Sequence, residues 1–228
     1  MNLSKRLSAV AGQITIGNTV ADIGTDHGYI PIYLTLNGLS QKAFAMDVNE
    51  GPLMRARDNI RKYTVEDKVV TRLSDGLKGL AEGEAQSIVI AGMGGLLTIR
   101  ILTEGEAVAK SVDELILSPH SDVHLVREYL ADNGYNIINE DMVLEDGKFY
   151  FVLKVVKGNM EIKDEVEKNF GKYLIERKDE TFGIYLKKEE SKRLAILDKM
   201  SVSDNSVRIS ELQSELDIIR KALVAYEG

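Results

Sequence analysis

Short apolar runs alternate with helical patterns along this chain, and then the alternation ends in a hairpin. TVADIGT (19–25), KAFAMDV (42–48), VVTRLSD (69–75), SIVIAGM (87–93) and ELILSPH (114–120) read as strands. Helix spacing fills YIPIYLTLNG (29–38), the segment from a cap at Asn49 to about Tyr63, GLLTIRILTEGEAVA (95–109) and VHLVREYLADNG (123–134), with Gly38 and Gly134 as stops. A leading helix over 3–12 precedes them. After Gly134 two extended runs are joined through Glu145-Asp146-Gly147, a hairpin signal. Strands that return through helices lie parallel, so the chain predicts a doubly wound α/β sheet with an antiparallel end.

Five crossover strands plus a hairpin make a seven-stranded, Rossmann-like sheet. A dinucleotide-binding fold usually finishes with parallel units, whereas a hairpin ending is typical of the class I methyltransferase sheet. That is an analogy of fold and assigns no activity.

Past Gly158 the composition changes. Residues 159–228 contain no proline and no strand-like run, and they are dense in Lys and Glu. Leu212, Leu216, Ile219, Leu223 and Tyr226 follow a heptad seam, with a weaker version at Phe182, Leu186, Arg193, Leu197 and Met200. A turn at Ser201-Val202-Ser203-Asp204-Asn205-Ser206 separates the two. The expectation is a sheet domain over 1–158 and a helical domain over 159–228. In the second, one helix (about 160–178) precedes an antiparallel coiled-coil hairpin. A heptad seam fits a dimerisation arm or a substrate-binding arm equally well; a monomer is the expected state.

The chain has no cysteine, so disulfides and thiolate metal sites are excluded, and no metal is expected. The opening MNLSKRLSAVAGQI carries no long apolar run and is not read as a signal peptide, and no membrane span is expected. A cytoplasmic location is the expectation. The net charge is −7, so a nucleic-acid partner would have to dock on a local basic patch.

In open α/β sheets, ligands sit beyond the C-terminal ends of the strands, beside the switch point. Three acids fall there: Asp22 in strand one, Asp47 ending strand two, and Asp75 within Ser74-Asp75-Gly76 after strand three. The first turn, DIGTDHGYIP, spaces its glycines G-x-x-x-G, with Asp26 and His27 where a dinucleotide fingerprint has glycine. Three acids repel a pyrophosphate and suit a cationic, phosphate-free nucleoside. S-adenosyl-L-methionine has that chemistry. Each acid taken alone reads equally as a cap or a solvated side chain. The fourth strand runs into Ala91-Gly92-Met93-Gly94-Gly95, where glycines imply either a tight turn or close approach of a ligand. Ser118-Pro119-His120 ends strand five beside it.

DIGTDHGYIP, AMDVNEGPLMRARDNI, RLSDGL, IAGMGG and LSPH, in that order and with a charged helical tail, resemble the bacterial tRNA (adenine-22-N1)-methyltransferase family over essentially the whole chain. The resemblance implies methyl transfer from S-adenosyl-L-methionine to N1 of an adenine in the D-arm region of tRNA. It puts the cofactor on Asp22, Gly24, Gly28, Asp47, Asp75, Gly76, Ala91 and Gly92, and their neighbours Thr25, His27, Val48 and Ser74 complete the candidate set. Asp26, Gly92, Met93 and His120 are catalytic candidates by their place at the strand ends, and the resemblance names no catalytic base. Lys5 and Arg6, and Lys187, Lys188, Lys192 and Arg193, are the candidate tRNA contacts, although Glu189 and Glu190 lie among the second group. Methylation of another RNA, of DNA or of a small molecule, and a non-catalytic adaptor, are the alternatives.

Overall fold

The computed structural model describes residues 1–200 and 206–228, so most of the expected Ser201–Ser206 turn lies outside the described residues. The chain divides into two compact units, Met1–Met160 and Glu161–Gly228.

The first unit is built on a single seven-stranded sheet. Parallel strands β1 (Val20–Ile23), β2 (Ala43–Asp47), β3 (Val69–Leu73), β4 (Ser87–Ala91) and β5 (Glu114–Ser118) are followed by the hairpin β6 (Tyr135–Glu145) and β7 (Lys148–Lys157). The order is β3-β2-β1-β4-β5-β7-β6, with β7 antiparallel to both neighbours. The order therefore reverses between β1 and β4, which opens the switch point where the candidate residues fall. The helices are α1 (Lys5–Gln13), α2 (Tyr29–Leu36), α3 (Glu50–Lys62), α4 (Gly95–Glu104), α5 (Glu106–Ser111) and α6 (Val123–Asp132).

Every residue of β1 and β5 is buried, as is all of β4 but its last, as strands covered on both faces require. Val10, Val20, Ile30, Leu34, Val89, Ile116 and Val152 form one core cluster, and Ile32, Ala45, Ile60, Val65 and Val69 another. Val10 ties α1 into the first cluster; α1 packs against β5, β6 and β7. This packing holds the start of the chain beside the fourth and fifth strand ends.

Two expected helices are broken. The helix over 95–109 is split at Gly105, where a Cβ would come within 2.5 Å of Leu77 Cβ, so the close approach of Leu77 selects glycine there. The helix over 160–178 is two short ones, α7 (Glu165–Phe170) and α8 (Tyr173–Glu176), interrupted by Gly171 at φ +74°. Asn49 stands at the N-cap of α3, but its side chain does not cap. Its N–H instead donates to Asp47 Oδ1 at 2.7 Å.

The second unit also contains α9 (Glu180–Lys199) and α10 (Ser206–Glu227), which pack together. Gly183 lies beneath the Tyr226 hydroxyl, Glu190 pairs with Arg220, and Arg193 with Glu215, a descending register that makes the two helices antiparallel. Leu212, Leu216, Ile219 and Ala222 are the buried seam of α10. At the open end of α9, Phe170, Phe182, Tyr185 and Tyr226 form an aromatic cluster with ring centroids about 6 Å apart, in edge contacts except for the stacked pair Phe182–Tyr185.

Candidate active site

The site is assembled from the C-terminal ends of β1, β2, β4 and β5. After β1 the chain must turn sharply into α2. It does so through Gly24 (φ +75°), His27 (φ +65°) and Gly28 (φ +69°), the last being the N-cap of α2. Gly28 also faces Ala56, 3.3 Å from a would-be Cβ, so α2 and α3 can close together. The amides of Gly24 and Thr25 both donate to the Met46 carbonyl at 2.8 Å, which locks the turn to β2.

Asp22 is the exceptional acid of this unit. Three acids are buried: Asp22, Glu114 and Glu140. Glu114 meets Lys154 Nζ at 3.0 Å and accepts from Thr15 and Ser87; Glu140 meets Arg127 at 2.7 Å. Among the described residues Asp22 has no ion pair. Burial raises its carboxyl to about 6; the Thr25 hydroxyl and the Arg6 guanidinium pull the other way, and Asp47 adds to the rise. That shift amounts to about 3 kcal/mol of disfavoured charge. A fold has no use for such a cost, whereas a cation-binding site does.

Asp47 is half-buried at the end of β2, with Val48 beside it 57 % exposed. Ser74 organises the next loop, donating to the Gly76 carbonyl and accepting from the Gly79 amide. Asp75 faces outward, paired with Lys78 at 2.6 Å and Arg100 at 3.7 Å, and the Lys78 ammonium holds its carboxyl below the usual range.

The glycine-rich loop after β4 is joined to the loop after β5. Gly92 N–H donates to the Ser118 carbonyl, His120 N–H to the Met93 carbonyl, and Gly95 N–H to the Ser121 carbonyl. A Cβ at Gly95 would meet that carbonyl at 2.6 Å, so this glycine is there for packing. Gly92, exposed and at φ +88°, is there for its backbone conformation. Met93 reaches across the cleft, its Cε 1.9 Å from where a Gly24 Cβ would stand. Burial, then Arg6 and Lys148, lower the His120 pKa.

Two candidates are placed differently from expectation. Asp26 is exposed and committed to Arg55, which donates from Nε at 3.0 Å and Nη2 at 2.6 Å; His27 Nε2 lies 3.5 Å from its other oxygen. Arg6 is turned inward: a Cβ on Gly92 would lie 3.7 Å from its Nη1 and 3.8 Å from the His120 ring. Lys5 beside it is exposed.

A family model for a methyltransferase domain matches residues 3–153. The chain is 32 % identical to the tRNA (adenine(22)-N(1))-methyltransferase of Bacillus subtilis (strain 168), with 98 % of each chain covered. The chain belongs to this methyltransferase family. Among solved structures, Sp1610 of Streptococcus pneumoniae in complex with S-adenosyl-L-methionine superposes with a TM-score of 0.89 at 33 % identity, covering 97 % of this chain and 100 % of that one. M. capricolum TrmK bound to S-adenosyl-homocysteine gives a TM-score of 0.86 at 29 % identity, covering 98 % and 99 %.

The residues of this family member fit such a cofactor. Asp22 offers a buried carboxylate with no salt bridge among the described residues, Asp47 a half-buried one at the next strand end, and Gly24 a backbone without a Cβ. The buried Arg6 Nη1 and Ser118 Oγ have no hydrogen-bond partner among the described residues. Among the described residues, no group of three His, Cys, Asp or Glu is placed to hold a metal ion, and no helix is long and apolar enough to cross a membrane.

Tyr150 was not legible as a site residue. It sits on β7, within reach of the site through an edge contact with His120 (5.3 Å between centroids) and with the Arg6 guanidinium 5.4 Å from its ring. No motif marks it in FYFV; only the pairing of β7 with β5 brings it there. Arg55 had a weak signal, one helical position among several basic ones on α3.

In the second unit, Lys187, Lys188 and Lys192 are exposed, while Arg193 is half-buried between Glu189 and Glu215. Arg193 is thus a seam residue, and the expected basic cluster is one residue smaller.

Proposed function

We propose that this protein transfers a methyl group from S-adenosyl-L-methionine to N1 of adenine 22 in tRNA. The likeness to the Bacillus subtilis enzyme over 98 % of both chains carries this reading. Bound S-adenosyl-L-methionine supplies an electrophilic methyl group on a sulfonium.

The chain's own residues have the following roles. Asp22 and Asp47 favour a cationic ligand with ribose hydroxyls. Asp75 and Gly76 border the adenine end, where Asp75 shares its carboxylate with Lys78. Met93, anchored by the Met93–His120 backbone bond, and Tyr150 offer apolar faces for the target base. Adenine N1 carries a free lone pair at neutral pH, so positioning, not deprotonation, is required. His120, depressed below its ordinary value, is neutral there and does not place a proton on N1. The positive charge that develops on the base is met by the carbonyls of Ala91 and Gly92. Asp26, held by Arg55, orders the turn. Reaching N1 requires the base to be unpaired or flipped. Lys5, Lys187, Lys188 and Lys192 supply phosphate contacts.

The test is incubation with a tRNA transcript carrying A22 and with the same transcript carrying G22, followed by nucleoside analysis. One-methyladenosine in the first alone supports the reading. Equal methylation of both, or none, rejects it.

A further inference from the structure

Met93 joins the two walls of the strand-end cleft. Its backbone belongs to the β4 wall: its carbonyl accepts from the His120 N–H at 2.8 Å, and the neighbouring Gly92 N–H donates to the Ser118 carbonyl. Its side chain belongs to the β1 wall. The Cε fills the space where a Cβ on Gly24 would stand, and the Sδ lies 3.6 Å from that point. The Gly24 turn is held separately, by the amides of Gly24 and Thr25 on the Met46 carbonyl. Both walls are therefore fixed by backbone bonds, and the thioether is the movable part. Methionine suits such a place, because it is unbranched and turns about three side-chain bonds. β1 and β4 are sheet neighbours at the point where the strand order reverses, and a ligand of this fold lies in the crevice there. The bare backbone of Gly24 that would admit a cofactor is the backbone that Met93 covers.

We propose that Met93 is a positioning residue that couples the two ligands of the site: it closes the empty cleft over Gly24, and the cofactor drives it off that glycine toward His120, where it meets the target base. This rests on the methyltransferase reading above. The bond from His120 keeps the Met93 backbone on the acceptor side, so the displaced thioether stays within reach of the loop after β5. There the His120 ring makes its edge contact with Tyr150, 5.3 Å between centroids. A thioether packed against aromatic rings is a favourable contact. The apolar surface for the base is then complete only in the loaded protein, and the order of binding is cofactor first and tRNA second. The closed cleft also lowers the apparent affinity for the cofactor, by the fraction of molecules in which Gly24 is covered.

The experiment compares the full chain, carrying isotope-labelled methionine methyl groups, with Met93→Ala and Met93→Leu. The chain has seven methionines, and the Met93 methyl resonance is the one lost in Met93→Leu. Its nuclear Overhauser contact with the Gly24 α-protons should be present in the empty protein and vanish on saturation with S-adenosylhomocysteine. By calorimetry, Met93→Ala should bind S-adenosylhomocysteine roughly 3- to 10-fold more tightly, because no side chain has to leave. Its methylation of tRNA should fall at least about tenfold, because the base is held less well. Met93→Leu keeps an apolar face but is one atom too short to reach Gly24. It should gain cofactor affinity as Met93→Ala does and recover part of the methylation. Affinity and activity that move in opposite directions are not what a loss of packing gives. Persistence of the Gly24 contact in the presence of bound S-adenosylhomocysteine overturns this proposal alone. A fall in both affinity and methylation in Met93→Ala does the same, and makes Met93 a packing residue. A natural protein that binds no S-adenosylhomocysteine overturns the proposed function together with this proposal, which separates the two failures.

Discussion

The two units of this chain arrange their charges by opposite rules. In the helical unit, Arg193 lies between Glu189 and Glu215, Arg220 meets Glu190, and Arg208 meets Glu211 and Glu215. The Arg193–Glu215 and Arg220–Glu190 pairs cross the seam and hold the two helices in register, while the others lie within one helix. In the sheet unit the interior acids Glu114 and Glu140 are likewise paired, but at the strand ends the buried Asp22 forms no salt bridge among the described residues, and the Arg6 guanidinium acts on it only through space. Paired charges serve the fold. The Asp22 carboxylate, disfavoured where it sits, is suited to a cation that is not part of the chain. The contrast separates structural from functional charge without reference to motif, and it can be tested unit by unit.

The largest effect should come from separating the units. The sheet is complete by Lys157 and its unit is compact to Met160, so a chain ending at Met160 should fold and bind S-adenosylhomocysteine within about twofold of the full chain. Methylation of tRNA should fall by roughly two orders of magnitude, because several phosphate contacts are lost together. Full activity of the shortened chain would remove the helical unit from tRNA recognition.

Next in size is Asp22→Asn. The carboxyl is raised in the folded state, so its protonated form favours folding; this contribution is complete below about pH 4 and is lost as pH rises through about 6. At pH 7 the ionised side chain therefore burdens the fold by about 3 kcal/mol. Asp22→Asn should raise unfolding free energy at pH 7 by up to that amount, change it little at pH 4, and weaken S-adenosylhomocysteine binding at least tenfold. Denaturant titration at both pH values checks this. A change of the same size at pH 4 and pH 7 would mean that the charge of Asp22 is not what the fold resists.

The legibility of the chain follows the same division. The strands, their parallel order and the hairpin end could be read because continuous apolar runs and crossover helices leave few ways to close a sheet. The acids at Asp22 and Asp47 could be read because strand ends converge on one cleft. What could not be read was set by contacts distant in sequence. Leu77 against Gly105 breaks a helix whose periodicity runs on. Ser121 against Gly95 gives one glycine of AGMGG a packing role, which no local pattern separates from the conformational role of Gly92. Arg6 looked like a surface cation beside Lys5. Only the packing of α1 on β5, β6 and β7 turns the one inward and leaves the other out. Tyr150 needed the register of a hairpin, and Arg193 the antiparallel register of α9 and α10.

A smaller effect tests the cations of the helical unit that stand outside its seam. Changing Lys187, Lys188 and Lys192 together to Glu should weaken tRNA binding about tenfold or more at low salt and flatten the log–log salt dependence, because each lost phosphate contact removes about 0.9 from the slope. S-adenosylhomocysteine affinity should not move. Parallel slopes and equal affinity would reduce these lysines to a solvated face, and the search would pass to Lys5 and the basic side of α3.

The smallest effect belongs to the seam itself. Arg193 is one-fifth exposed and its partner Glu215 two-fifths, so solvent screens the pair, and the second contact to Glu189 lies within one turn of the same helix. Arg193→Met keeps the aliphatic stem against α10 and removes the charge. Pairs this exposed contribute about 0.2–1 kcal/mol, and the lost guanidinium leaves two glutamates facing each other rather than a buried orphan. The variant should therefore lose about 0.5–1 kcal/mol of stability at low salt and less at 1 M salt, where the glutamates no longer repel. Its tRNA affinity should stay within about twofold of the natural protein, since a charge already neutralised releases no counterions. A fall in tRNA affinity like that of the lysine variant, with stability unchanged, would place Arg193 among the functional charges and erase the distinction between the two rules.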